Sequence, residues 1–73
     1  MDEQRMQAYV ELIQQLLGCA QGEEAGLLQA NAGLVDTGLV DVMWQYADRL
    51  EREGKSNAVG WLRQFTGQLS QYL

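Results

Sequence analysis

Residues 30–41, with the sequence ANAGLVDTGLVD, contain the glycines and carboxylates that a ligand-binding loop would need. Gly33 and Gly38 each begin a Gly-Leu-Val-Asp sequence, so Asp36 and Asp41 recur at the same spacing. Glycine-rich loops bind phosphate through backbone amides, and closely spaced carboxylates bind calcium. The residue types of this segment therefore raise two possibilities, a nucleotide site and a calcium site.

The spacing within the segment argues against both sites. A phosphate loop of the GxxxxGK[ST] type follows a buried strand and supplies a lysine, whereas the only lysine here is Lys55 and no strand is predicted. An EF-hand loop needs oxygen ligands at alternate positions and a closing glutamate. Here Leu39 and Val40 lie between Asp36 and Asp41, whose charges would also repel a phosphate. We therefore predict neither a nucleotide site nor a calcium site.

Catalytic chemistry could otherwise come from Cys19 or from the pair Glu23 and Glu24. A nucleophilic cysteine needs a neighbouring base, and the chain contains no histidine. A lone thiol without histidine is also not an ordinary zinc site. Glu23 and Glu24 are consecutive, and consecutive helical residues do not face each other. We predict no enzyme activity, no catalytic or metal-binding residue and no cofactor, and we expect Cys19 to pack as a small apolar residue.

Length and charge restrict the remaining functional classes. A chain of 73 residues is expected to form one domain. Its net charge of -5, with five basic residues, disfavours nucleic acid as a partner. Its apolar runs are far shorter than the roughly 20 residues that cross a bilayer, and Met1-Asp2-Glu3 does not resemble a secretory signal. We expect a soluble, acidic, cytoplasmic protein that binds neither nucleic acid nor membranes.

Apolar residues recur at helical spacing along the chain, and the absence of proline agrees with a mostly helical structure. The expected inward-facing residues are Met6, Tyr9, Val10, Ile13, Leu16, Leu17, Ala20, Leu27, Leu28, Ala30, Leu39, Val40, Met43, Ala47, Leu50, Ala58, Leu62, Phe65, Leu69 and Tyr72, with Ala32 as a further candidate and Tyr46 beside the stripe of the third helix. The short connections favour antiparallel neighbours. The sequence therefore predicts an all-α fold, a small antiparallel four-helix bundle with helices at about 2–18, 23–32, 36–53 and 56–72.

The segment between the second and third helices is then interpreted as a corner of the bundle. Gly33 can end the second helix. Either Asp36 or Thr37 can accept hydrogen bonds from the free amides at the start of the third helix. The apolar residues of the corner are expected to face the core: Leu34, Val35, Leu39 and Val40.

Glycine and polar residues also predict how the third and fourth helices are joined. Gly54 is expected to end the third helix in a left-handed conformation. Ser56 or Asn57 is expected to cap the fourth helix. Gly60 and Gly67 weaken that helix, and we expect them to mark places where a neighbour approaches closely.

The two tryptophans leave two interpretations open. Trp44 and Trp61 both lie at the edges of their apolar stripes. They can widen the core of a short chain, since tryptophan is highly buried on average. They can instead form an exposed apolar patch on the third and fourth helices that docks a partner. Met43 fits either interpretation, so the candidate partner surface comprises Trp44, Trp61 and Met43.

Three short sequences in the chain are distinctive: Glu-Glu at 23–24, Leu-Gln-Ala-Asn at 28–31 and Leu-Val-Asp-Thr-Gly-Leu-Val at 34–40. With the apolar positions around them, they make residues 9–72 resemble a short helical module of cyanobacterial proteins. In proteins of that kind the module precedes tetratricopeptide repeats or a caspase-like (CHAT) region. The resemblance implies an accessory domain of a larger scaffold or signalling protein, without catalytic residues of its own.

These observations favour a non-catalytic protein–protein interaction module. The partner is expected to be a protein, and self-association into a homo-oligomer is one form of that interaction. The alternative is a structural cap or spacer that packs against an adjacent repeat array, because a terminal repeat needs a cover for its apolar face.

Overall fold

The computed structural model describes residues 2–73, and this part of the chain forms four α-helices and one 3-10 turn. The elements in chain order are α1 (Glu3–Gly18), α2 (Glu24–Ala30), the 3-10 turn (Ala32–Leu34), α3 (Thr37–Arg52) and α4 (Ser56–Ser70). The prediction of an all-α four-helix bundle is confirmed. Each helix also lies close to its predicted range, whereas the 3-10 turn was not predicted.

The core lies where α1, α3 and α4 meet. Leu27 and Leu28 of the short helix α2 are only partly buried and pack against the edge of this core. A helix of seven residues is too short to be stable alone, so α2 depends on these shallow contacts. The buried apolar residues of the core are Tyr9, Leu12, Ile13, Leu16, Leu39, Val40, Val42, Met43, Ala47, Leu50, Val59, Leu62 and Leu69.

Gly54 reverses the chain between α3 and α4, as predicted. Its φ of +80° is in the left-handed region, which glycine adopts without steric cost. The Gly54 amide donates to the Glu51 carbonyl at 3.1 Å, and the Lys55 amide donates to the Leu50 carbonyl at 3.0 Å. This pair of hydrogen bonds is a Schellman motif, which satisfies carbonyls at the end of α3.

The prediction that Ser56 or Asn57 caps α4 is wrong. The helix begins at Ser56 with Lys55 at the N-cap, and within residues 2–73 no side chain donates or accepts a capping hydrogen bond there. The Lys55 carbonyl already accepts from the Val59 amide at 3.1 Å. The tight turn at Gly54 therefore starts α4 one residue too early for a serine cap.

The buried face of α4 differs from the predicted stripe. Val59 and Thr66 are buried, whereas Tyr72 lies beyond the helix and is 85% exposed. The Thr66 hydroxyl donates to the Leu62 carbonyl at 2.6 Å, which satisfies its polar atom and allows it to lie in the core. Phe65 is only partly buried. The face that packs on α3 is therefore rotated away from the predicted one.

Five small residues also depart from prediction. Ala20, Ala30 and Ala32, which were expected to face the core, are exposed. A Cβ atom at Gly60 or Gly67 would meet no other atom within 4 Å in the part of the chain that the structure describes. These glycines therefore do not mark close approaches of a neighbouring helix.

Candidate functional site

A hydrogen-bonded cluster of Arg5, Tyr9 and Asp36 holds the corner before α3. The Tyr9 hydroxyl donates to the Asp36 carboxylate and lies 2.7 Å from Oδ1 and 2.9 Å from Oδ2. Arg5 donates through Nε to the Tyr9 hydroxyl at 2.7 Å, and it also donates to the Asp36 carboxylate and, at 3.0 Å, to the Gly33 carbonyl. The cluster therefore joins the first turns of α1 to the chain that leads into α3.

Asp36 is also the N-cap of α3. Its backbone is extended, with φ −147°, and its Oδ1 accepts from the Leu39 amide at 3.0 Å. Of the two predicted caps, Asp36 is therefore the one used. The hydrogen bond from Tyr9 lowers the pKa of Asp36 to about 2, and Arg5 and the Leu39 amide add to the shift although burial opposes it. The carboxylate is thus held ionised, which makes it a poor proton acceptor near neutral pH.

The two glycines of the doubled sequence have different roles. A Cβ atom at Gly38 would lie 2.9 Å from the Tyr9 hydroxyl oxygen and 3.2 Å from Asp36 Oδ1, so the cluster leaves space only for glycine. Gly33 lies in the 3-10 turn and offers its carbonyl to Arg5. It does not end α2 as predicted, because the helix ends before Asn31, whose side-chain amide donates to the Leu27 carbonyl at 2.8 Å.

The predicted partner-surface residues lie in three different environments. Met43 is fully buried in the core, so it does not contribute to an exposed surface. Trp44 is 40% exposed on α3. Trp61 is half-buried on α4 and stacks on Phe65, with ring centroids 5.0 Å apart and planes inclined by 13°. The structure therefore pairs Trp61 with Phe65 at the surface, whereas Met43 is enclosed in the core.

An open apolar groove runs between α2 and α4, with a volume of about 520 Å³. Its two sides are formed by α2 and by the C-terminal half of α4, and the side chains that line it are uncharged. This α2–α4 groove is lined by Ala25, Leu28, Gln29, Phe65, Gln68, Leu69 and Tyr72.

Two smaller hollows adjoin the α2–α4 groove along α4. One, of about 200 Å³, is lined by Trp61, Gln64, Phe65 and Gln68. The other, of about 330 Å³, lies between Trp61 and the end of α1 and is lined by Leu16, Leu17, Cys19, Gln21, Glu24 and Trp61. Because adjacent hollows share residues, Trp61, Phe65, Gln68 and Tyr72 form one continuous surface, which we call the aromatic face.

Sequence reasoning missed the aromatic face because it placed Phe65 and Tyr72 in the core stripe. Successive residues of the aromatic face are four, three and four positions apart: Trp61, Phe65, Gln68 and Tyr72. Successive residues of the buried stripe are three, four and three positions apart: Val59, Leu62, Thr66 and Leu69. At 3.6 residues per turn, the two stripes are centred roughly 100° apart around α4. The two stripes together cover a wider arc of α4 than a single buried stripe needs. This wide arc is the feature of the sequence from which two separate surfaces could have been predicted.

Cys19 lies at the C-cap of α1, where it lines one hollow beside Trp61. Its Sγ donates to the Leu16 carbonyl at 3.2 Å. Burial raises the pKa of the Cys19 thiol, and the carboxylates of Glu24 and Glu23 raise it further. The thiol is therefore not activated as a nucleophile.

Two further features bear on function within the described residues. The chain from residue 2 onward brings together no group of three or more His, Cys, Asp or Glu side chains that could hold a metal ion. No helix among residues 2–73 has both the length and the apolar character needed to cross a membrane.

Comparison of the chain with protein-family models, curated proteins and solved structures finds no match. The resemblance to the cyanobacterial helical module therefore stays a prediction.

Proposed function

We propose that the chain is a non-catalytic protein–protein interaction module that docks its partner on the aromatic face and the α2–α4 groove. The observation that carries this proposal is the uncharged lining of the groove, which has Leu28 on one side and Phe65 and Tyr72 on the other. The buried centres of protein interfaces are depleted in charged residues and enriched in aromatic ones. The composition of this surface fits such a centre.

The distribution of charge supports docking on α4. The chain has ten acidic and five basic residues, yet Arg63 is the only charged side chain in residues 56–73. Arg63 donates to Asp48 at 3.1 Å and to Glu51 at 2.5 Å, so it is turned toward α3. A partner that covers the aromatic face would therefore desolvate few charges, which keeps the cost of binding low.

The aromatic face is also held in place before a partner binds. Trp61 and Phe65 stack on each other, and both pack against the buried core. Rigid aromatic side chains lose little conformational freedom on binding, and tryptophan and tyrosine are enriched among residues that contribute most to affinity. The face therefore offers anchors that are already ordered.

Site-specific photo-cross-linking in the native cells tests the proposal. A photo-reactive residue at Gln68, which is exposed and lines the α2–α4 groove, should give a discrete protein adduct. The matched control is Gln7, which is exposed on α1 and lines none of the hollows described above. The proposal is wrong if position 68 gives no discrete adduct or if position 7 gives the same one.

A second candidate function, a structural cap or spacer beside a repeat array, is favoured by the exposed apolar residues that follow α4. Tyr72 is 85% exposed and Leu73 is 49% exposed. Fusion to a tetratricopeptide-repeat array should then slow hydrogen exchange in α4 and give a single unfolding transition. Two independent transitions in the fused protein, with unchanged exchange in α4, would exclude the cap.

A further inference from the structure

We propose that the aromatic face binds the same face of a second copy of this chain, so that the module acts as a homodimer. The inference rests on the interaction function proposed above and names its partner. A two-fold dimer uses one surface twice, and that surface must be complementary to itself. The side chains that border the aromatic face meet this requirement.

Glutamine supplies most of the polar groups around the aromatic face, and one carboxylate, that of Glu24, lines the hollow at the Trp61 end of the face. Gln29, Gln64 and Gln68 line the groove and the adjoining hollow, and all three are exposed. Each side-chain amide carries both hydrogen-bond donors and an acceptor, so two such edges can pair with each other. A rim of carboxylates or lysines would instead select a partner of opposite charge.

The charge of the chain also favours this face for self-association. Two copies with a net charge of -5 repel each other, and the repulsion is smallest where uncharged surfaces meet. A basic partner would be drawn to the acidic residues elsewhere on the chain rather than to the uncharged groove. Two copies that meet through their aromatic faces therefore repel each other less than copies that meet through their acidic surfaces.

Dimerisation would also stabilise the weakest element of the fold. The seven-residue helix α2 places Leu28 in the α2–α4 groove, where that side chain is only partly buried. A second copy over the groove would remove this apolar surface from water. Because binding stabilises the folded state by mass action, the unfolding temperature should rise with protein concentration.

Sedimentation equilibrium of the full chain, from micromolar to millimolar concentration, tests the homodimer. The mass should rise from 8.2 kDa toward twice that value. Gln68→Glu places two like charges in the symmetric contact, and we expect it to weaken the dimer at least tenfold, which is about 1.4 kcal/mol. Gln7→Glu makes the same change in net charge on α1 and should leave the dissociation constant within about twofold. Both glutamines are exposed, so circular dichroism should show both variants folded.

A mixing experiment separates a direct contact from a general effect of charge. Gln68→Lys alone should also weaken the dimer, and an equimolar mixture with Gln68→Glu should restore association. A mass of 8.2 kDa that persists to about 1 mM would overturn the homodimer, as would equal effects of Gln68→Glu and Gln7→Glu. If position 68 cross-links only to a different protein, the homodimer is wrong and the interaction function stands.

Discussion

The hydroxyl of Tyr9 lies 2.7 Å from Oδ1 of Asp36, a residue 27 positions later in the chain. The same carboxylate oxygen accepts the Leu39 amide at the start of α3. One side chain therefore both caps α3 and anchors that end of α3 to α1. Because the Tyr9 ring is buried in the core, this contact ties the corner to a side chain that has little room to move.

Removing the Tyr9 hydroxyl should destabilise the fold without creating a cavity. Tyr9→Phe keeps the buried ring but loses a hydrogen bond to a carboxylate, and such bonds contribute roughly 1.5–3 kcal/mol. Because the Asp36 side chain is 40% exposed, we expect a loss near the lower end of that range. Denaturant unfolding measures it, with Tyr46→Phe, at a half-buried tyrosine outside the cluster, as the control. Equal losses in the two variants would contradict a special role for the Tyr9–Asp36 contact.

The Asp36 contacts should also appear in the pH dependence of stability. The pKa of Asp36 falls from 3.8 to about 2 on folding, chiefly through the Tyr9 hydroxyl. A lowered pKa in the folded state gives stability that is fully present above pH 4 and is lost as the pH falls toward 2. The difference in unfolding free energy between wild type and Asp36→Asn should therefore narrow across that interval. A difference that stays constant from pH 6 to pH 2.5 would show that Asp36 does not titrate this way.

Gly38→Ala should lower stability although alanine favours helix formation. The new methyl group would lie 2.9 Å from the Tyr9 hydroxyl oxygen, which is buried and hydrogen-bonded and cannot easily move. Overpacking of this kind costs about 1–3 kcal/mol. Gly60→Ala, where the space is open, should instead gain up to about 1 kcal/mol in the same denaturation assay. The loss of unfolding free energy caused by Gly38→Ala should be smaller in the Tyr9→Phe protein, because that protein lacks the hydroxyl the methyl group would approach. An equal loss in both backgrounds would show that the clash is not with this hydroxyl.

Much of the fold was predictable because its signals are local. Helical periodicity defined the four helices, and the predicted roles of Asp36 and Gly54 depend on neighbouring residues only. The pairing of Arg5 and Tyr9 with Asp36 was not predictable in the same way. Those residues are 31 and 27 positions from Asp36, and their contact depends on how α1 docks beside the corner.

The candidate site was only partly predictable for a related reason. Helical spacing shows which apolar residues share one face of a helix, but it does not show which neighbouring helix that face contacts. Met43 and Trp61 were both named for the candidate partner surface, yet Met43 is fully buried in the core, whereas Trp61 lines a hollow beside Glu24 of the short α2. Because α4 buries Val59 and Thr66, Phe65 faces the groove, and Tyr72, which follows the helix, is exposed beside it.

Tryptophan fluorescence should distinguish the aromatic face from the rest of the surface. In Trp44→Phe the remaining indole is Trp61, which is half-buried on the aromatic face. Acrylamide should quench its emission at low micromolar concentration and less effectively at high concentration, because the second copy shields it. Trp61→Phe leaves Trp44, which is 40% exposed on α3, and its quenching should not depend on concentration. Acrylamide is neutral, so the acidic charge of the chain does not bias the comparison. Equal concentration dependence for the two indoles would argue against docking through α4.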